Sequence, residues 1–200
     1  HKLDDRLPFL LEQQAHCDEY LSRIADPAGK TVLVAGAGAG TEMLWCLRRG
    51  ALEVVGIDLL PQEPESLRLA AQALGIPSDR PWQLLQMAIE EAPSLGRRFD
   101  LVLSNNVFEH VGDLPAAFAA CAQMIEPGRG RIAIFSNPLF RASTGSHRTH
   151  LPWEHLHRPE LLAPQNEVPL NRAKLEDVLD GARQANLALV HLEVLPDRHL

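Results

Sequence analysis

Along this chain of 200 residues, short β-rich apolar runs alternate six times with stretches of helical periodicity. No other feature limits the fold as much. The runs are TVLVAG (31–36), LEVVGIDL (52–59), WQLLQMA (82–88), FDLVLSNN (99–106), RIAIFSNP (131–138) and LALVHLEV (187–194). Helices are expected at about 41–49, 64–74, 114–125 and 171–185, with another inside FLLEQQAHCDEYLSRI that Pro27 ends. Buried runs joined through helices form a mostly parallel sheet covered on both faces, which is an α/β, doubly wound fold. The length suits one domain with a sizeable core. The expected organisation is a helical extension over 1–28 and a main domain over 29–200. The main domain carries a loop or lid insert at about 139–170, rich in Pro and His.

Charge narrows the partners. The formal charge is −7, so the chain lacks the positive field that nucleic acid or an anionic membrane requires. No apolar run reaches the length of a membrane span and no signal peptide is visible. Cys17, Cys46 and Cys121 are widely spaced and form no metal-type pair, which fits a reducing cytoplasm and no metal centre. The chain opens at His1 rather than Met, which reads as a fragment or trimmed chain.

The first strand breaks into AGAGAG, placing Gly36, Ala37, Gly38 and Gly40 where ligands of such sheets sit, beyond the carboxyl ends of the strands. Bare backbone lets a ligand approach closely, and Asp58 at the end of the second run can accept both hydroxyls of an adenosine ribose. The bland alternative is a tight turn beside an ordinary strand-end acid. A dinucleotide fold wants a glycine at the sixth place of its loop; here that place is Thr41.

This G-x-G-x-G pattern with its strand-end acid resembles the class I S-adenosylmethionine-dependent methyltransferases, type 11-like, in their small-molecule branch. The resemblance continues through FDLVLSNNVFEHVGDLPAAFAACAQMIEPGRGRIAIFSNP and covers about 31–138, with 171–195 matching more loosely. It implies a Rossmann-like methyltransferase fold with S-adenosyl-L-methionine as cofactor. Gly36, Ala37, Gly38 and Gly40 would then line the methionine and ribose portion. Asp58 would hold the ribose hydroxyls, Leu59 would lie against the adenine, and Met87, Ala88 and Ile89 would reach its edge. Ser104, Asn105 and Asn106 would sit beneath the sulfonium, with Glu109 and His110 beginning the next helix. Two positions depart from the pattern. Val34 stands where family members often carry an acid two residues before the first glycine. QMAIEE lacks the Asp they often have after the third strand. The resembled fold closes with an antiparallel hairpin, so a chain ending at Leu200 is expected to lack the last antiparallel strand and leave the sheet incomplete.

In this chemistry the cofactor carries the electrophile, so acceptor determinants belong in loops above the sheet. NPLFRASTGSHRTHLPWEHLHRPE holds His147, His150, His155 and His157 with Arg141, Arg148 and Arg158. Three readings stay open: a solvated loop, a metal site without helpful spacing, and a substrate lid. In the lid, His147 or His150 is a general base and arginines hold an anion. GSH and PWEHL resemble a loop in some small-molecule methyltransferases. No Asn-Pro-Pro-Tyr motif, Pro-Cys nucleophile or Lys-Asp-Lys-Glu set is present, and lysine is confined to Lys2, Lys30 and Lys174. The expected activity is methyl transfer from S-adenosyl-L-methionine to an oxygen or nitrogen of a small acceptor, one carrying an anion included. A peptide or protein acceptor comes second. The rivals are an NAD-dependent oxidoreductase and a non-catalytic binding or scaffold domain.

Overall fold

The structure, a computed structural model, describes residues 3–60, 64–136, 139–142, 153–158 and 170–195. Five parallel strands form one sheet: β1 (Thr31–Ala35), β2 (Glu53–Asp58), β3 (Trp82–Gln86), β4 (Leu101–Asn105) and β5 (Arg131–Phe135). Their order is β3-β2-β1-β4-β5, so the chain reverses its direction of winding between β1 and β4. The crevice beyond Ala35 and Asn105 is thus the topological switch point, where a parallel sheet leaves room for a ligand.

The helices are α1 (Leu3–Tyr20), α2 (Thr41–Arg48), α3 (Pro64–Ala73), α4 (Leu114–Met124), the short α5 (Glu154–His157) and α6 (Leu175–Gln184). Strand residues alternate between two cores. Val32, Val34, Val54, Leu101 and Leu103 pack beneath α1, α2 and α3. Leu33, Ala35, Val55, Ile57 and Val102 pack beneath α4, with α6 outside it. This two-sided burial is why the strands read as continuous apolar runs.

α1 begins well before the expected stretch and carries Pro8 in its second turn, at the cost of one helical N–H bond. It buries Leu10, Gln14 and Cys17, spaced four and three apart along one face, and Leu21 of the following 3-10 turn continues that face. Asp18 latches it to α2: its carboxylate accepts from Trp45 Nε1 at 3.0 Å and from Arg48 Nη2 at 2.5 Å. Trp45 is wholly buried, so Asp18→Ala leaves an indole N–H without its acceptor. We expect a loss of about 1–3 kcal/mol, read as a lower denaturant midpoint. A midpoint equal to wild type would show the latch to be incidental.

The sixth run does not become a strand. Residues 187–195 have no ladder partner among the described residues, and Leu189, Val190, Leu192 and Val194 are exposed. Arg23, in the 3-10 turn after α1, pairs with Glu193 of this segment. Alternating β-formers describe a surface that suits a sheet, and a strand still needs an adjacent edge. Within the described residues β5 is itself an edge of the sheet. Among those residues no helix is long and apolar enough to cross a membrane. All three cysteines are unpaired and buried; burial pushes the Cys17 and Cys121 thiols up to about 12 and raises Cys46 as well.

Candidate functional site

Between Ala35 and Thr41 the chain must turn from a buried strand into a helix within the residues Gly36 to Gly40. Gly36, Gly38 and Gly40 all take positive φ, at 76°, 50° and 94°. Their surroundings differ. A Cβ on Gly36 would lie 2.2 Å from Val107 Cγ2, and one on Gly40 2.5 Å from Leu67 Cδ1. At Gly38 nothing lies within 4 Å. Packing against the protein itself therefore requires two of the glycines, while the third faces open space. The turn is fastened to β2, since Gly36 and Ala37 both donate to the Ile57 carbonyl at 2.9 Å.

Asp58 completes this edge. One carboxylate oxygen accepts from Gly38 N–H at 2.8 Å and the other from Leu60 N–H at 2.9 Å. Its carbonyl accepts from Met87 N–H at 2.9 Å, which brings the end of β3 alongside. Leu59 is 65% exposed, an apolar side chain left in the open beside the acid. Met87 and Ala88 are half-buried, and Glu91 reaches back to accept from Ala88 N–H at 2.9 Å. Ile89 starts a 3-10 helix, Ile89–Leu95, and is buried in the core on the α4 side. The loop, Asp58, Leu59, Met87 and Ala88 thus share one edge of the sheet.

β4 supplies the opposite wall. Ser104 is buried, and its hydroxyl donates to the Ala35 carbonyl at 3.0 Å, strapping β4 to β1 across the switch point. Asn105 is half-buried and its Nδ2 donates to Glu42 Oε1 at 2.6 Å, while its Oδ1 has no partner. Asn106 stands in the left-handed region at φ 54° and donates to the Phe135 carbonyl at 2.9 Å. Glu109 and His110 lie in a turn rather than in the next helix; α4 starts at Leu114, capped by Asp113, which accepts from Ala116 N–H at 2.9 Å.

Two carboxyls here are buried, Glu42, which motif reading passed over, and Glu109. Glu42 belongs to the first turn of α2, and Glu109 receives the Ser136 hydroxyl at 2.8 Å on one oxygen and nothing on the other. Burial raises the pKa of both. The available signal for Glu42 was an acid within TEMLWCL, a helix otherwise apolar enough to lie in the core.

His147 and His150 lie outside the described residues, as does Arg148. The two ends of their segment are described. Phe140 N–H donates to the Ala173 carbonyl at 2.9 Å, and Asn171 Nδ2 donates to the carbonyls of Phe108 and Val111 at 2.7 Å each. The insert therefore leaves and rejoins the domain beside the ends of β4 and β5. Arg141 pairs with Glu176 at 3.2 Å and Arg158 with Glu154 at 2.8 Å. Among the described residues no group of three His, Cys, Asp or Glu side chains is arranged to hold a metal ion.

A family model, a methyltransferase domain, matches residues 9–192, a span that includes the glycine turn, its acid and the switch-point crevice. The chain belongs to that methyltransferase family. This methyltransferase domain is 36% identical over 109 residues to the ubiquinone biosynthesis O-methyltransferase of Neisseria meningitidis, covering 54% of the chain and 45% of that protein. It is 37% identical over 111 residues to the protein of the same name from Xanthomonas axonopodis pv. citri, covering 55% and 44%. The chain thus spans about half the length of the curated relatives it matches. An S-adenosylmethionine-dependent methyltransferase from Mesorhizobium loti shares the fold at a TM-score of 0.65 and 18% identity, over 92% of this chain and 85% of that one.

Proposed function

We propose that this methyltransferase domain moves a methyl group from S-adenosyl-L-methionine to an oxygen or nitrogen of a small-molecule acceptor. The observation that carries this reading is the 2.8 Å hydrogen bond joining the glycine turn to Asp58, with open space above Gly38. The residues present fit the cofactor. Each Asp58 oxygen is bonded by one backbone N–H, which leaves lone pairs directed outward for the ribose hydroxyls. Exposed Leu59, with half-buried Met87 and Ala88, offers an apolar face to adenine. When bound, the cofactor supplies an electrophilic methyl carbon on a sulfonium. The chain's own contribution is to hold that group at the switch point, orient the acceptor, exclude water and take up a proton.

An oxygen acceptor is favoured by the O-methyltransferase names of the curated relatives. The insert over 139–170 acts as a lid on the domain at 29–200, supported by the convergence of its two ends beside β4 and β5. Within it, His147 or His150 is the proton acceptor for an acidic hydroxyl, and Arg148 pairs with an acceptor anion. A reducing, cytoplasmic setting goes with three unpaired thiols. Thr41 at the sixth place of the loop speaks against the NAD reading.

Calorimetry with S-adenosylmethionine, its demethylated product and NAD, run side by side, tests the reading. The first two should bind and NAD should not; binding of NAD alone would replace this reading with an oxidoreductase. For the lid, His147→Ala, His150→Ala and Arg148→Ala should lower turnover or acceptor affinity by about 10²- to 10⁴-fold for a general base, less for the arginine. The basic limb of the pH–rate profile should change in the responsible histidine variant. Near-normal kinetics in all three would reduce the segment to a solvated loop.

A further inference from the structure

Below the glycine turn lies a buried polar patch that has more acceptors than donors. Glu42, on α2, accepts from Asn105 Nδ2 at 2.6 Å. Gln14, on α1, spends its amide N–H groups on the carbonyls of Leu10 and Thr41 at 3.3 and 3.2 Å. The side-chain oxygens of both amides, Asn105 Oδ1 and Gln14 Oε1, are buried with no donor. Once ionised, this carboxylate beside two orphaned amide oxygens forfeits solvation without return, unless a cation with hydrogens to give occupies the site. Asn105, the half-buried member of the patch, ends β4 at the switch point. On the same face of the sheet β1 presents only Val32 and Val34, so no acid of β1 competes for that cation.

We propose that Glu42, assisted by Asn105, is the counter-charge for the ammonium group at the methionyl end of the cofactor. An ammonium brings three N–H donors, which is the chemistry the patch lacks, whereas a sulfonium brings none. The inference rests on the proposed binding of S-adenosylmethionine. It assigns to an α2 side chain the partner that Val34 cannot supply. The ionisable groups facing Glu42 are Cys17 from α1 and Cys46 from its own helix, both held neutral by burial. Asp18, next to Cys17, is balanced by Arg48 and Arg49, and β4 brings only Ser104 and Asn105.

Binding of three probes by wild type and Glu42→Gln decides the matter: S-adenosylmethionine, S-adenosylhomocysteine and 5′-methylthioadenosine. The first two carry the ammonium, the second and third lack the sulfonium, and the third lacks the amino-acid end altogether. Glutamine keeps the acceptor for Asn105 Nδ2 and adds a donor to the patch, so the variant should fold. Affinity for both ammonium-bearing probes should fall about 10- to 100-fold, with methylthioadenosine unaffected. A loss confined to S-adenosylmethionine would assign Glu42 to the sulfonium and overturn the proposal. An equal loss for all three, or none, would overturn it too. If wild type binds none of them, the functional reading falls with it.

Proton release on binding gives a second measurement on wild type alone. Burial holds the Glu42 carboxyl above its ordinary value of 4.5, and a bound ammonium draws it down. Binding either ammonium-bearing probe should therefore release protons between the bound and free values, so affinity rises with pH there. Calorimetry in two buffers of different ionisation enthalpy reads that release. No release for either probe at any pH, with unchanged affinity in Glu42→Gln, would remove the ammonium from the patch. The free protein should respond oppositely. Below 4.5 Glu42 is protonated in both folded and unfolded chains, and as pH rises only the unfolded chain ionises it, so folding weakens. Glu42→Gln should thus raise Tm near neutral pH while weakening the cofactor.

Discussion

Replacing Asp58 with alanine should weaken S-adenosylmethionine binding by about 1–3 kcal/mol, roughly 5- to 150-fold. Two losses combine. The ribose hydroxyls lose a charged acceptor, and the N–H groups of Gly38 and Leu60 lose the bonds at 2.8 and 2.9 Å that fix the loop's shape. Asp58→Asn separates the two. Its amide keeps one oxygen and turns the other acceptor into a donor, so one of the N–H groups faces a donor in turn. We expect the asparagine variant to fall between wild type and alanine in affinity for both S-adenosylmethionine and 5′-methylthioadenosine. The losses should match for the two probes, because Asp58 faces the nucleoside end that they share. Unchanged affinity in Asp58→Ala would remove the main support for an adenosine site at this edge.

That edge was legible because its parts are local. A strand, a glycine turn and the acid ending the next strand follow within Thr31 to Asp58, and parallel pairing of β1 with β2 sets Ala35 opposite Ile57, one residue before Asp58. Any α/β chain with this register brings loop and acid together, so the pattern carries the geometry. The strands β1, β2, β3, β4 and β5 were legible for a related reason: burial on both faces removes the polar alternation and leaves short apolar runs.

The failures have a common physical cause, which is that the deciding contact is remote. LALVHLEV has the composition of a strand, yet a strand needs an edge to pair with, and composition does not supply one. The helical reading of 171–185 began too early because Asn171 and Ala173 are spent on the turn after β4 and on Phe140, and α6 starts only at Leu175. Glu42 went unremarked because nothing local marks an acid as buried against other elements. It becomes conspicuous only when Asn105 and Gln14, from two other elements, arrive beside it without enough donors.

Gly36→Ala should be the most damaging single-methyl change in the site, lowering stability by about 2–5 kcal/mol. Two costs add. The residue must hold φ 76°, where an L side chain costs about 1–2 kcal/mol. Its Cβ would also stand 2.2 Å from Val107 Cγ2, and overpacking of this kind costs about 1–3 kcal/mol. Valine is stiff at χ1, so Val107 cannot swing aside without moving the turn after β4. Gly38→Ala is the control. It pays the left-handed cost at φ 50° and meets nothing within 4 Å, so its stability should fall by only about 1–2 kcal/mol. Its effect on binding should be the larger of its two effects, because the new methyl enters the space the cofactor needs. The double variant Gly36→Ala with Val107→Ala tests the contact itself. Removing both Val107 methyls relieves the overlap, so the two changes should be non-additive, with part of the packing cost recovered and the backbone cost retained. Chemical denaturation of wild type, Gly36→Ala, Val107→Ala, their double variant and Gly38→Ala measures each step. A Gly36→Ala protein as stable as wild type would mean that the turn accommodates a side chain, and that the bare backbone at this position is not required by the fold.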